Sequence, residues 1–156
     1  NQGGMPPFAL DANTMNRGGN PVQLIRILIV DDHQGFRDGL RRLLAGEPDI
    51  EVAGEAADGP EAIEKALSLR PEVILMDIGL PGMSGLEAAR LIKQRRVNSK
   101  IIILTAQEAE EYREAAAAVG ASDYLVKQFA CNRLAPAIRG ALTRVPGTGT
   151  MSRPGN

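Results

Sequence analysis

The chain has 156 residues, 44% of them hydrophobic and 24% charged, which supplies one ordinary globular core and no more. Its 18 basic and 19 acidic residues nearly cancel, to a formal charge of -1 with no long run of either sign, so the charge pattern advertises no nucleic-acid or anionic-membrane footprint. One cysteine, Cys131, and one histidine, His33, exclude an intramolecular disulfide framework, a cysteine-based metal cluster and a multi-histidine metal site; no apolar run approaches the roughly 20 residues of a membrane span, and a cytoplasmic protein is expected.

Residues 1–23 are rich in Gly, Asn, Pro and Gln, with Phe8 and Leu10 too sparse to build a core, and predict a flexible extension. Residues 146–156 predict a flexible tail or the start of a cut linker, which leaves one domain at 24–145. Within it, short apolar runs alternate with helical periodicity five times. Leu24 to Val30 predicts a strand, stopped by Asp31-Asp32; Phe36, Leu40, Leu43 and Leu44 then fall on one face of a helix that ends near Gly46 and Pro48. Ile50 to Ala56 is a second strand. Asp58 with Glu61 looks like a cap opening a helix that buries Ile63, Ala66 and Leu67 and stops before Pro71. Val73 to Met76 is an uninterrupted apolar run, suited to a strand covered on both faces, and it delivers Asp77 to a turn marked by Gly79, Pro81 and Gly82. Ser84 followed by Glu87 matches a capping box, and the helix it opens groups Ala88, Leu91 and Ile92. Ile101 to Leu104 is the fourth strand, closed by Thr105. Tyr112, Ala115, Ala116 and Val119 predict the inward face of the fourth helix, with Gly120 placed to cap it. Asp123 to Val126 is the fifth strand, ending at Lys127, and Leu134, Ile138, Ala141, Leu142 and Val145 form the last apolar stripe.

Strands alternating with helices imply right-handed crossovers, a parallel sheet covered on both faces, and a ligand site beyond the carboxyl ends of the strands. Asp31, Asp32, Asp77, Thr105 and Lys127 lie at the C-terminal ends of four different apolar runs, so they should converge. A lone strand-end aspartate such as Asp77 reads most simply as a turn former; in that company it reads as a displayed carboxylate nucleophile. Like carboxylates about 4 Å apart repel by roughly 4 kcal/mol at an effective dielectric near 20, so a cation must belong to the site. Hard oxygen ligands from two or three carboxylates suit a partly hydrated Mg²⁺. Lys127 can pair with a phosphoryl oxygen and the Thr105 hydroxyl can donate to another. These are the parts that phosphoryl transfer asks for, here onto Asp77. No glycine-rich or Walker-type nucleotide signature accompanies them.

Val30-Asp31-Asp32-His33, Met76-Asp77-Ile78 with Pro81-Gly82-Met83-Ser84-Gly85, Leu104-Thr105-Ala106 and Tyr124-Leu125-Val126-Lys127 together resemble the motifs of a two-component response regulator receiver domain, in order and at suitable distances over about residues 25–144. The resemblance implies an α/β, flavodoxin-like (βα)5 doubly wound fold with strand order 2-1-3-4-5. It implies Asp77 as the acceptor of phosphate from a sensor histidine kinase, and Asp31, Asp32 and Asp77 as holders of Mg²⁺ with the backbone carbonyl of Ile78 or Gly79. Thr105, Ala106 and Lys127 would surround the phosphoryl group. Thr105 and Tyr124 would act as the switch that remodels the face made by the fourth helix, fifth strand and fifth helix, a face that could support a homodimer on phosphorylation. Asp-Asp-His, and Tyr124 to Lys127 without a following proline, are similar to receivers that precede a helix-turn-helix domain in NarL/FixJ-like transcription regulators. DNA would then be reached only through an effector domain that these residues do not include.

Several positions depart from the family pattern. Gln128 stands where many receivers have proline, which puts the usual cis peptide after Lys127 in doubt. Pro136 and Gly140 weaken the last helix, and predict that it starts late, kinks or is mobile. His33 and Cys131 read as a surface residue and a small helix-start residue, without a chemical role. Two further readings stay open: a receiver-like interaction module working without phosphorylation, and a small-molecule phosphatase or phosphotransferase, for which neither an acid/base pair outside the cluster nor a covering domain is evident.

Overall fold

The computed structural model describes residues 23–143. The elements run β1 (Ile25–Val30), α1 (Gln34–Ala45), β2 (Ile50–Ala56), α2 (Gly59–Leu69), β3 (Val73–Asp77), α3 (Gly85–Gln94), β4 (Lys100–Thr105), α4 (Glu110–Ala118), β5 (Asp123–Val126), a 3-10 turn (Lys127–Phe129) and α5 (Ala130–Thr143). The five strands are parallel in the order β2-β1-β3-β4-β5, so the α/β flavodoxin-like fold expected from the alternation is the one observed. The expected extension and tail lie outside the described residues, apart from Gln23.

Strand residues alternate between two apolar layers, as the two-residue period of a strand requires. Leu28, Val30, Ile74, Met76, Ile101 and Ile103 face the layer closed by α2, α3 and α4 residues such as Ala62, Ala88, Ile92 and Ala116. Ile27, Ile29, Leu75, Ile102 and Leu104 face the layer closed by α1 and α5, through Leu40, Leu44, Leu134 and Ile138. All five residues of β3, Asp77 included, are buried, which is the environment its unbroken apolar run predicts. Between β1 and β2 the register slips, from Ile27 opposite Val52 to Leu28 opposite Gly54, so Ala53 is an extra residue in the edge strand.

The helix ends follow the capping chemistry. The Asp58 carboxylate accepts from the Glu61 amide at 2.8 Å, and Ser84 Oγ accepts from the Glu87 amide at 3.1 Å. Gly120, at φ +84°, closes α4: its amide donates to the Ala117 carbonyl and the Ala121 amide to that of Ala116, the paired bonds of a left-handed C-terminal cap.

Three expectations are corrected, the first being that Leu142, expected in the apolar stripe of the last helix, is exposed. Of the residues expected on the inward face of α4, Ala116 is buried and Val119 packs against the core, but Tyr112 is exposed, and Arg113 turns inward instead with its guanidinium carbon 4.6 Å from the centre of the Tyr124 ring. The last helix does not start late: α5 begins at Ala130 and passes through Pro136. Leu134, Ile138 and Ala141 are buried beneath it, and that burial holds the helical path across the missing donor. No peptide bond among the described residues is cis, that between Lys127 and Gln128 included.

Candidate functional site

Parallel pairing brings the C-terminal ends of β1, β3, β4 and β5 to one edge, and with them Asp31, Asp77, Thr105 and Lys127. The Asp31 backbone is anchored on both sides, its amide donating to the Ala56 carbonyl at 3.0 Å and its carbonyl accepting from the Arg37 guanidinium at 2.6 Å. Its side chain is fully buried. One oxygen, Oδ1, accepts from the His33 amide at 2.8 Å; the other, Oδ2, meets Lys127 Nζ at 2.6 Å. The same ammonium lies 3.3 Å from Asp77 Oδ1 and 4.4 Å from the centre of the Phe36 ring. Lys127 thus ties two acids from different strands while its stem and charge rest on an aromatic face.

Asp77 is 4% exposed. Burial pushes its pKa up, the Asp31 charge pushes it further, and Lys127 and the Gly79 amide oppose the rise. For Lys127 burial acts to lower the pKa, but the hydrogen bond to Asp31 and the charges of Asp77 and Asp31 outweigh it, and the net shift is upward. The ammonium is therefore charged throughout the physiological range.

Asp32 points to the rim, where its Oδ1 is 3.1 Å from His33 Nδ1; that nitrogen is also 3.3 Å from Asp31 Oδ1. The Thr105 hydroxyl donates to the Gln107 carbonyl at 2.9 Å and accepts from the Gln107 amide at 3.2 Å, so it is engaged with the loop before α4. Ala106 and Gly79 are exposed beside it on the rim. Among the described residues neither Asp32 nor the Thr105 hydroxyl is bonded to Asp77 or Lys127. Tyr124 is buried, with its phenol accepting from the Ala109 amide at 3.2 Å and donating to the Ala109 carbonyl at 3.4 Å.

The donor set fits a hard divalent cation. Asp31, Asp32 and Asp77 offer carboxylate oxygens, and ligand atoms of Asp31, Asp32 and His33 lie within 4.8 Å of one another. Between the two backbone carbonyls the sequence left open, that of Ile78 already accepts from the Leu80 amide at 3.0 Å and the Gly85 amide at 2.9 Å, so Gly79 is the better donor.

Three contributors had little or no sequence signal. A Cβ on Gly85 would stand 1.9 Å from the Asp77 carbonyl oxygen, so this glycine lets the start of α3 pack directly on the acceptor strand. Its position after a capping serine could have hinted at that. Arg113, paired with Glu108 at 3.1 Å and stacked on Tyr124, reads in sequence as one more helix-surface charge. Phe36 reads as core stripe and serves as the floor beneath Lys127.

The comparisons with known proteins agree with this geometry. The family model for the response regulator receiver domain matches residues 27–139. Transcriptional regulatory protein DegU of Brevibacillus brevis is 41% identical over 115 residues, 74% of this chain and 49% of that protein. Transcriptional regulatory protein LiaR of Bacillus subtilis is 42% identical over 118 residues, 76% of this chain and 56% of that protein. The chain therefore spans about half the length of these relatives. Among solved structures, a LuxR-family two-component response regulator from Aurantimonas sp. SI85-9A1 superposes with a TM-score of 0.76 at 34% identity, covering 85% of this chain and 91% of that one.

Proposed function

This chain belongs to the response regulator receiver domain family, and from that premise we propose that it is a phosphorylation-activated switch that takes a phosphoryl group from a sensor histidine kinase onto Asp77. The observation that carries the reading is the Lys127 ammonium held 2.6 Å from Asp31 and 3.3 Å from Asp77, a fixed cation beside a buried carboxylate at the open end of a parallel sheet. An Asp77 oxygen forms the new bond to phosphorus as the bond from phosphorus to the kinase imidazole nitrogen breaks; the imidazole leaves with the electron pair. Lys127 neutralises charge on the transferred group and opposes the rise in the Asp77 pKa that burial and the Asp31 charge cause. Asp31, Asp32 and Asp77, with the Gly79 carbonyl, would hold Mg²⁺, which when bound offsets the carboxylate charge and that of the phosphoryl oxygens.

The acyl phosphate adds roughly 1.5 to 2 negative charges at the edge of β3. Thr105 and Ala106, at the end of the neighbouring strand, would meet them. Recruiting the Thr105 hydroxyl means breaking its two bonds to Gln107, and Gln107 lies two residues before Ala109, which holds the Tyr124 phenol. Rearrangement of this loop is thereby passed to Tyr124 and to the face formed by α4, β5 and α5. The names of the relatives support a place in a transcription regulator, with sequence-specific DNA reading left to an effector domain.

The test is intact-mass analysis after incubation with acetyl phosphate and Mg²⁺, beside Asp77→Asn. A single phosphoryl adduct that requires Mg²⁺ and is missing in the variant is expected. A folded protein that gains no adduct overturns the reading and favours a phosphorylation-independent interaction module.

A further inference from the structure

The end of the sheet opposite the acceptor gathers charge that the overall balance conceals. The α2–β3 and α3–β4 loops are stitched together there, Ser99 Oγ donating to the Pro71 carbonyl at 2.5 Å and the Lys100 amide to the Glu72 carbonyl at 2.9 Å. Around that seam stand Arg26, Arg70, Lys93, Arg95, Arg96 and Lys100. Arg26 is committed to the Leu69 carbonyl at 2.7 Å, and Lys93 reaches the Ser99 carbonyl at 3.5 Å. Arg70, Arg95, Arg96 and Lys100 form no ion pair among the described residues. The nearby acids are Glu72, whose Oε1 accepts from the Arg26 amide at 2.7 Å, and the exposed Glu51, which lies opposite Arg26 in the β1–β2 register, so cations outnumber acids here. Glu47 and Asp49, at the same end of the molecule, are both taken up by Arg139. The Lys93 pKa is held below its ordinary value by burial and by the charge of Lys100, in keeping with crowded cations.

Two of these arginines occupy left-handed backbone positions, Arg70 at φ 48° and Arg96 at φ 58°. Glycine or asparagine suits such helix-terminal positions better on conformational grounds alone. What arginine adds is a long, exposed cation at the tip of each of two adjoining loops. Arg70, Glu72, Lys100 and Leu142 line one open cleft, so the last described turn of α5 lies beside these charges.

We propose that this end of the domain is an accessory contact surface for the phosphate backbone of duplex DNA, using Arg70, Arg95, Arg96 and Lys100. The choice of DNA among polyanions rests on the reading of the chain as part of a transcription regulator. Contacts of this kind are to phosphates, carry no sequence preference and are weak and salt-dependent.

The test is fluorescence anisotropy of a labelled mixed-sequence duplex titrated with the unphosphorylated 156-residue chain at several salt concentrations. Because no phosphoryl transfer is involved, the outcome is independent of the Asp77 chemistry. Four phosphate contacts predict a log–log salt slope of about -3.6. Arg70→Gly with Arg96→Gly should reduce the slope by about 2 and weaken binding at least about tenfold at low salt, with an unchanged or higher melting temperature because glycine suits both backbones. Arg95→Gln with Lys100→Gln, which leaves those two backbones alone, should reduce the slope equally. No binding at low salt, an unchanged slope in both folded variants, or adhesion to phosphatidylserine vesicles without binding to the duplex would each overturn the proposal.

Discussion

The ionised Asp77 carboxylate sits in a buried position beside Asp31, and its raised pKa means that the folded state binds its proton more readily than the unfolded state does. The resulting destabilisation is absent below the ordinary carboxylate value near 4 and is fully present above the raised folded value. Asp77→Asn should therefore stabilise the protein in metal-free buffer at pH 7.5 and raise its Tm. The gain should shrink steadily as the pH is lowered toward 4, and Mg²⁺ should raise the Tm of the parent more than that of the variant. Thermal melts at pH 5 and 7.5 with and without Mg²⁺ check this; an Asn variant less stable than its parent at pH 7.5 would contradict it. Lys127 does not reverse the sign, since it keeps its 2.6 Å bond to Asp31 when the second carboxylate is removed.

At the scale of the element, α5 is the one whose sequence and structure pull in different directions. Pro136 lies in its interior and is exposed, so its missing amide leaves the Asn132 carbonyl without its helical donor, while its ring contributes little to the core. Pro136→Ala should stabilise the domain by about 1 to 3 kcal/mol in urea denaturation. In the parent, amide hydrogen exchange should be faster from Ala130 to Ala135 than in β3 or β4. Protection in that stretch equal to the strands would mean that the buried Leu134 and Ile138 fully compensate. The neighbouring α4 departs from its sequence pattern for a related reason. Helical periodicity favoured the apolar Tyr112, but Arg113 turns inward because it finds both a carboxylate, Glu108, and an aromatic face, Tyr124. Neither partner is within one helical turn on its own helix, so no local pattern announces the contact.

For the whole molecule, the face formed by α4, β5 and α5 presents Tyr112 at 38% exposure over a helix whose loop is tied to Tyr124. If release of Tyr124 remodels this face, beryllium fluoride with Mg²⁺ should raise the sedimentation coefficient from that of a monomer toward that of a dimer. An unchanged coefficient at concentrations of about 100 µM would separate phosphate binding from self-association in this protein. The acidic site and the basic end lie at opposite ends of the strands, an arrangement invisible in a net charge of -1.

The alternation of strands and helices, the parallel sheet, the helix starts at Asp58 and Ser84, the stop at Gly120 and the convergence of Asp31, Asp77 and Lys127 were all legible in the sequence, because each depends on local chemistry or on the fixed hand of a crossover connection. The tertiary structure decided the rest. It chose Lys127 as the bridge between two acids, brought Gly85 against the Asp77 carbonyl, drew Arg113 inward and collected at one end of the sheet four cations that form no ion pair among the described residues. These outcomes depend on which side chains far apart in the chain come within a few ångströms of each other, and periodicity and spacing carry no information about that.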